Sequence, residues 1–241
     1  MKNDPSGPGP LLAFGAHPDD IEFGCGGIVA REAQAGRLVH LVVCSRGEAG
    51  THGTAGVRTK EAARAAKLLG ATLEFCDLDG DARLELKSTH ALRLAGIIRN
   101  VKPAVVLAPS LETNQHPDHW RLGQLVRDAT RLARYGGLEG LKPAPHAIGQ
   151  LFFYSLGPGA EPPGPPPVLV DVSAPEVVAV WRHAMEAHAS QMKTRNYAEL
   201  QLARARVHGL NAGVEYAQPL WPNDPLVVDN LAVLARGARR F

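Results

Sequence analysis

Two short segments of the sequence crowd imidazole and carboxylate side chains around a proline. Residues 17–20 read His-Pro-Asp-Asp, and residues 116–119 read His-Pro-Asp-His. Together they carry three histidines and three aspartates, whose nitrogen and oxygen donors suit a divalent cation of the zinc type. A catalytic zinc site uses three protein ligands and leaves one position open for water. The repeated motif therefore predicts a metal site that is built from both segments.

Each of these residues also has an ordinary structural explanation. A single aspartate between a strand and a helix is usually an N-cap, which would account for Asp20 or Asp118 alone. A histidine before a proline usually marks a turn. Yet His17 and Asp20 are three residues apart, so both can face one ion at the start of a helix. Because the motif occurs twice, we interpret it as a metal site rather than as two caps.

Apolar runs that alternate with helical patterns predict a Rossmann-like α/β domain, with a mostly parallel sheet flanked by helices. The two motifs directly follow predicted strands at 11–16 and 103–110. Since the carboxyl ends of parallel strands share one edge of a sheet, both motifs should open onto the same crevice. The other elements predicted in this part are strands at 38–45 and 71–78 and helices at 21–36, 57–70, 89–101 and 119–135.

The C-terminal third is less regular and predicts an α+β portion of the same domain. We interpret the proline-rich stretch at 157–167 as a surface excursion within a β-hairpin or between neighbouring strands. The segment after residue 212 is predicted to be irregular. We expect a flexible N-terminal segment at 1–10 and a single domain over 11–241. The strands of this third are predicted at 150–156 and 168–173, and its helices at 175–190 and 196–210.

Composition and charge exclude several classes of partner. Of the 241 residues, 45% are hydrophobic and 21% charged, as in ordinary globular proteins. The net charge is +2 and the 26 Lys and Arg form no basic run, so no nucleic-acid partner is predicted. No apolar window approaches the ~18 residues of a membrane helix, so no membrane partner is predicted either. Cys25, Cys44 and Cys76 show no paired spacing and are predicted as buried thiols of a cytoplasmic protein.

The two motifs, written AHPDD (16–20) and HPDH (116–119), resemble those of the LmbE-like (PIG-L) family of zinc-dependent N-acetylglucosaminyl deacetylases. RGEAGTHGT (46–54), together with the helix after it, resembles the second loop and helix of that family. GDARL (80–84) resembles a further turn of the family. The resemblance extends over residues 11–229, which is nearly the whole chain.

This resemblance implies roles for the residues around the metal. His17, Asp20 and His119 would bind Zn²⁺. Asp19 would be the general base, which takes the proton of the attacking water and later passes a proton to the departing amine. The charge of the ion would allow the adjacent carboxylates of Asp19 and Asp20 to remain ionised together.

The resemblance also implies roles for residues around the substrate. A cationic His116 would stabilise the oxyanion, and Asp118 would orient His116 and raise its pKa. Arg58 matches a family arginine that contacts substrate, although a solvated arginine at a helix start is the alternative. Glu48 in the glycine-rich loop is a candidate for contacts with sugar hydroxyls. His52 has no counterpart in the family pattern from which to assign a role.

The function implied is zinc-dependent hydrolysis of the N-acetyl group of a small amino-sugar substrate, with release of acetate. HASQM (188–192) and GVEYAQPL (213–220) resemble the branch that makes bacillithiol, which favours N-acetylglucosaminyl malate as the substrate. Another acetylated amino sugar or a thiol conjugate is an alternative. So is a non-catalytic Rossmann-like module, although no GxGxxG follows the first strand. The late helices and the proline-rich stretch leave room for a homo-oligomer.

Overall fold

A mixed sheet of seven strands runs through the part of the chain that the structure describes. The structure is a computed structural model and describes residues 8–234 and residue 237. Residues 1–7 of the predicted N-terminal segment, and 235–236 and 238–241 of the predicted domain, lie outside the described residues. The strands are β1 (Leu11–Gly15), β2 (Val39–Val43), β3 (Thr72–Phe75), β4 (Val105–Pro109), β5 (Gln150–Tyr154), β6 (Val168–Asp171) and β7 (Ala217–Pro222). The helices are α1 (Asp20–Gln34), α2 (Ala55–Leu69), α3 (Ser88–Val101), α4 (Pro117–Ala133), α5 (Pro175–Glu186) and α6 (Tyr197–Ala212).

The order of the strands creates a crevice at the centre of the sheet. The order is β3-β2-β1-β4-β5-β7-β6. The first five strands are parallel, whereas β7 is antiparallel to both β5 and β6. The chain builds outward from β1 to β3 and then returns to place β4 on the other side of β1. This reversal between β1 and β4 is where open α/β sheets bind ligands. The predicted α/β fold with a mostly parallel sheet is confirmed.

Helices cover both faces of the sheet. Successive residues of a strand point to opposite faces, so each face has its own core. In β1, Leu11 and Ala13 belong to one core, and Leu12 and Phe14 belong to the other. The first core also contains the apolar sides of α1, α2, α5 and α6, and the second contains those of α3 and α4. Strands that are buried on both faces have continuous apolar sequences, as β1 does. β1 and β4 therefore form a rigid base for the segments that follow them.

Glycines in α1 allow other elements to approach this helix closely. A Cβ atom at Gly24 would overlap the ring of Tyr154, and one at Gly26 would lie 2.6 Å from the ring of Trp181. Trp181 donates a hydrogen bond of 2.8 Å to the carbonyl of Glu22. Glycine weakens a helix interior, and here the close packing of two large aromatic rings offsets that cost.

Replacing Gly24 by alanine is expected to lower the free energy of unfolding by about 1–3 kcal/mol, because the new methyl group overlaps a fully buried ring. Urea denaturation measures the change. Gly56→Ala in α2 is the matched control, since its nearest neighbour lies 3.9 Å away and the site is exposed. That variant should gain up to about 1 kcal/mol. Equal effects of the two substitutions would contradict the packing explanation.

The C-terminal part differs from the sequence prediction in two respects. The segment after residue 212 contains a strand, β7. Its two prolines, Pro219 and Pro222, lie at positions where they do not prevent pairing. Pairing of β7 with β5 involves only Trp221 and Pro222, so Pro219 faces β6 alone. The interpretation of 157–167 as a hairpin or a link between neighbouring strands is wrong, because β7 lies between β5 and β6.

Two expectations from composition concern the interior and the surface. Cys25, Cys44 and Cys76 are free and buried, as predicted. Within residues 8–234, none of the helices combines the length and the apolar character that crossing a membrane requires.

Candidate metal centre and active site

The two histidine motifs meet at the crevice between β1 and β4. His17 lies two residues after β1, and His119 lies in the first turn of α4, which begins eight residues after β4. The two residues are 102 positions apart in the chain, yet Nδ1 of His17 lies 3.2 Å from Nε2 of His119. The predicted meeting of the two motifs is therefore observed, and the parallel pairing of β1 with β4 produces it.

A tight turn after β1 positions the two adjacent carboxylates. Asp20 begins α1, and its Oδ2 accepts hydrogen bonds from the backbone N–H groups of Ala16 and His17, at 2.7 and 2.9 Å. These bonds leave Oδ1 of Asp20 directed at Nε2 of His119, 3.2 Å away. Asp19 has φ 114°, a conformation that is rare for any residue but glycine, and its side chain caps no helix N–H. Such strain persists only where the surroundings enforce it.

Donor atoms of the three predicted ligands lie 3.2–3.6 Å from one another, with a different carboxylate oxygen of Asp20 facing each histidine. Nδ1 of His17 lies 3.2 Å from Nε2 of His119 and 3.6 Å from Oδ2 of Asp20, and Oδ1 of Asp20 is 3.2 Å from Nε2 of His119. Zinc bonds of about 2.0–2.2 Å place the ligands of a tetrahedral site about 3.3–3.6 Å apart. His17 and Asp20 are buried, and two ring nitrogens face each other. The donor set therefore fits a divalent cation of the zinc type.

Two carboxylates lie beside the second ring nitrogen of His17. Its Nε2 lies 3.0 Å from Oδ1 of Asp81 and 3.3 Å from Oδ2 of Asp118, both nearly fully buried. Burial opposes a charge on the ring, but the carboxylates of Asp20, Asp118 and Asp81 raise the pKa of His17 well above its usual value. Metal-binding histidines commonly donate their second N–H to a carboxylate, which fixes the ring and its tautomer. Asp81 and Asp118 are placed to do so here.

The position of Asp118 corrects one sequence-based expectation. Its carboxylate contacts His17 and accepts a hydrogen bond of 2.7 Å from the backbone N–H of Ala82, rather than orienting His116. Asp118 does not cap α4 either, because Nδ1 of His116 accepts the N–H of Asp118 at 3.3 Å. Asp81 was absent from the predicted site. The GDARL turn that contains it follows β3 at the same sheet edge, which is the signal that identifies it.

His116 is close to the candidate ligands but differs from the predicted cation. Its ring centroid lies 4.7 Å from that of His17 and 5.3 Å from that of His119. Burial lowers the pKa of His116 and positive charge on His17 and His119 lowers it further, whereas the carboxylate of Asp118 raises it, as predicted, without reversing the net decrease. Because its Nδ1 accepts the backbone N–H of Asp118, the neutral ring carries its hydrogen on Nε2. His116 is therefore a neutral donor in this arrangement.

Arg58 holds Asp19 in place. Its Nη2 donates to the carbonyl of Pro18 at 2.9 Å and to Oδ2 of Asp19 at 3.3 Å, and its Nη1 donates to the carbonyl of Gly47 at 3.0 Å. Arg58 is only 4% exposed, so the alternative of a solvated arginine is wrong. Burial and the neighbouring Asp20 raise the pKa of Asp19 to about 6, and Arg58 is among the groups that oppose this rise. Contact of Arg58 with a substrate stays a prediction.

Glu48 supports the glycine-rich loop instead of lining the site. Its carboxylate accepts the backbone N–H groups of Arg46 at 3.0 Å and of Asp81 at 2.9 Å. These bonds tie the loop after β2 to the turn after β3, and thereby hold Asp81 beside His17. In this structure Glu48 positions the loop, and its contact with sugar hydroxyls stays a prediction.

A cavity of about 500 Å³ opens over the candidate ligands. This volume lies within the usual range of sites for small molecules. The glycine-rich loop contributes Thr51 and the proline-rich stretch contributes Pro158, so 157–167 forms part of the wall. Of the predicted site residues, those that line the cavity are His17, Asp19, Asp20, Arg58, His116 and His119.

Replacing Asp118 by asparagine is expected to weaken metal binding about 10–100-fold, because His17 loses a charged acceptor on its second ring nitrogen. Competition with a chelator of known affinity measures the change. Asp128→Asn on the same helix is the matched control, because the carboxylate of Asp128 accepts hydrogen bonds from Gln124 and not from a candidate metal ligand. Metal affinity that falls equally in both variants would contradict the proposed support of His17 by Asp118.

Comparison with known proteins identifies the family. The family described as PIG-L, GlcNAc-PI de-N-acetylase, matches residues 12–130, which include both histidine motifs. The diacetylchitobiose deacetylase of Thermococcus kodakarensis is 30% identical over 200 residues, which cover 75% of this chain and 69% of that protein. This chain belongs to the PIG-L family. The predicted membership is thus confirmed, and with it the assignment as an enzyme of a de-N-acetylase family.

Two further proteins match over greater lengths. The 4-oxalmesaconate hydratase of Pseudomonas putida is 28% identical over 244 residues, which cover 92% of each chain. The crystal structure of a conserved protein from Thermus thermophilus is 35% identical and superimposes with a TM-score of 0.81, covering 90% of this chain and 96% of that one. This similarity supports the observed arrangement of strands and helices across the described domain.

Proposed function

We propose that this protein hydrolyses the acetamide of an N-acetylglucosaminyl conjugate and releases acetate. A single arrangement carries the proposal. His17, Asp20 and His119 form a triangle of candidate zinc ligands, and Asp19 and His116 line the same cavity. Zinc is the ion that we propose for the triangle, on the basis of its nitrogen and oxygen donors. An amide is a poor electrophile and water a weak nucleophile, so both must be activated. When bound, such a cation polarises a carbonyl and lowers the pKa of water.

The side chains supply the proton transfers. Asp19, held by Arg58, accepts a proton from the water that attacks the acetamide carbon. The Nε2–H group of His116 donates to the carbonyl oxygen as negative charge develops there, a contribution of typically ~3–4 kcal/mol. Asp19 then returns the proton to the amine nitrogen as the C–N bond breaks. The immediate products are acetic acid and the free amine, and the acid then gives its proton to the amine, so that acetate and an ammonium sugar leave with atoms and charge balanced.

For the conjugate, we propose N-acetylglucosaminyl malate in bacillithiol biosynthesis. The support comes from the two C-terminal segments, which contribute unequally to the site. HASQM supplies Gln191 to the cavity wall. In GVEYAQPL, by contrast, Gln218 accepts the backbone N–H of Ile28 at 2.9 Å and is buried against α1. The first segment therefore bears on the substrate, and the second supports the helix that carries Asp20.

Hydration of an unsaturated acid is a second candidate, because the similarity to the hydratase of Pseudomonas putida covers nearly the whole of both chains. The reaction also needs a base and a proton donor around an activated water, which the same residues would supply. The two candidates differ in product: hydrolysis releases acetate and an amine, whereas hydration adds water to a double bond and releases nothing.

A substrate panel with the zinc-loaded protein tests the proposal. The panel contains N-acetylglucosaminyl malate, diacetylchitobiose and 4-oxalmesaconate, and the measured products are acetate, free amine and the hydrated acid. We expect acetate from the first substrate with the highest kcat/KM. A clear preference for diacetylchitobiose would replace the malate conjugate but keep the reaction. Turnover of 4-oxalmesaconate without any acetate release would replace the reaction itself.

A further inference from the structure

We propose that Tyr197 and Gln191 form the site that binds the sugar ring next to the reacting acetamide. This inference rests on the proposed function and specifies which residues distinguish a pyranose from a simple amide. Both side chains line the cavity over the candidate metal ligands, together with uncharged groups that include Phe23, Leu156 and Pro158. The charged residues around His17 would thus bind and activate the acetamide, and these uncharged side chains would bind the sugar ring.

Phe23 supports the ring of Tyr197 beside the candidate metal ligands. The two rings stack with centroids 5.3 Å apart and an interplanar angle of 30°. Phe23 is buried, at 6% exposure, and lies three residues after Asp20, on the same side of α1. The rise over three helical residues is about 4.5 Å. Tyr197 is half-buried, and with one face on Phe23 it turns its remaining surface toward the cavity.

A network of hydrogen bonds fixes Gln191. Its Nε2 donates to the carbonyl of His52 at 2.7 Å and to Oγ of Ser190 at 2.9 Å. Ser190 is itself held by Glu61, through Oγ at 2.6 Å and its backbone N–H at 2.8 Å. The backbone of His52, for which the sequence suggested no role, thus holds a residue of the cavity wall.

Because its amide nitrogen is engaged by this network, Gln191 offers its carbonyl oxygen as an acceptor. Among the described residues no donor reaches Oε1 of Gln191, and this atom is not among the buried unsatisfied ones. Gln201 in the same wall differs, because its Nε2 donates to the carbonyl of Leu156 and its Oε1 accepts from Arg204. A substrate hydroxyl would therefore find its acceptor at Gln191 rather than at Gln201.

These groups match the chemistry of a pyranose ring. The face of an aromatic ring carries partial negative charge and attracts the polarised axial C–H groups of a sugar. The ring hydroxyls are donors, and a carbonyl oxygen fixed in advance accepts one of them with little loss of side-chain entropy. The substrate class is thus an N-acetylated pyranose, and an acetamide without a ring would gain nothing from this site.

The test compares two probes on the zinc-loaded full chain in an Asp19→Asn background, where turnover does not interfere. The probes are methyl N-acetyl-β-glucosaminide and the ringless N-methylacetamide, titrated by NMR. Tyr197→Ala should weaken binding of the glycoside about tenfold and leave N-methylacetamide unchanged. Tyr197→Phe should retain affinity within about threefold, because the stacking ring remains. Gln191→Met should weaken the glycoside about fivefold. Tyr135→Ala, at an exposed ring, is the control.

The outcomes separate this inference from the proposed function. Unchanged glycoside affinity in Tyr197→Ala, or an equal loss for both probes, overturns the ring site. Acetate release by the wild-type chain in that case leaves the hydrolytic function intact. Conversely, Tyr197-dependent binding of the glycoside by a wild-type chain that releases no acetate supports the ring site and contradicts the proposed reaction.

Discussion

Asp19→Asn is expected to lower kcat/KM for acetate release by about 10²–10⁴-fold, because the variant cannot accept the proton of the attacking water. Asparagine is the appropriate substitution, since Asp19 has φ 114° and asparagine tolerates positive φ better than alanine does. Its amide oxygen still accepts from Arg58, whose separate hydrogen bond to the carbonyl of Gly47 holds the loop after β2. Steady-state kinetics at saturating zinc measures the loss.

Metal content and thermal stability are the controls for this variant. Both should match the wild type, because Asp19 is not among the predicted ligands and its backbone conformation is retained. Activity within about tenfold of the wild type, with full metal content, would contradict Asp19 as the general base.

The pH dependence of the wild type provides an independent check on Asp19. The group must be ionised to accept a proton, so activity is lost as pH falls through its pKa. Burial and Asp20 raise the pKa of Asp19 to about 6, and a bound cation would lower it from there. The acid limb of the kcat/KM profile is therefore expected at or below pH ~6. An acid limb above neutrality that Asp19→Asn does not alter would assign the base to another group.

His119→Ala is expected to produce the second large effect, loss of the bound cation. His119 supplies the nitrogen that joins the α4 motif to the β1 motif, with Nε2 3.2 Å from both His17 and Asp20. Loss of a residue that only supports a metal-binding side chain lowers metal affinity about 10–100-fold. Loss of a metal-binding side chain itself should therefore leave activity below about 1% of the wild type. Metal analysis after gel filtration and acetate release measure both losses.

His183→Ala on α5 is the matched control, because that imidazole is exposed and lies outside the cavity wall. The wild type should lose its activity to a chelator and regain it with Zn²⁺. It should also unfold at a higher temperature with metal than without, since a ligand that binds only the native state stabilises it. Stoichiometric metal in His119→Ala would contradict the triangle of ligands.

Local sequence patterns account for most of the elements and for the candidate ligands. Within the described residues, the six α-helices and six of the seven strands follow from apolar periodicity, because that period reports which face of an element is buried. β7 was not predicted, because Pro219 and Pro222 are unfavourable in strands and its pairing with β5 and β6 depends on residues about 50–70 positions away in the chain. Such a contact leaves no local signal.

The residue pattern alone predicts a cation site at one sheet edge, from the paired His-Pro-Asp motifs after two strands, and it predicts membership of the PIG-L family, which the comparisons confirm. The distribution of the supporting residues, by contrast, emerges only from the folded chain. Asp118 contacts His17, Arg58 donates to Asp19, and Glu48 accepts the backbone N–H of Asp81. Spacing along the chain specifies the residue types available to a site. Which atoms touch depends on the crossing of distant loops over the sheet, and this is set by the packing of the whole fold.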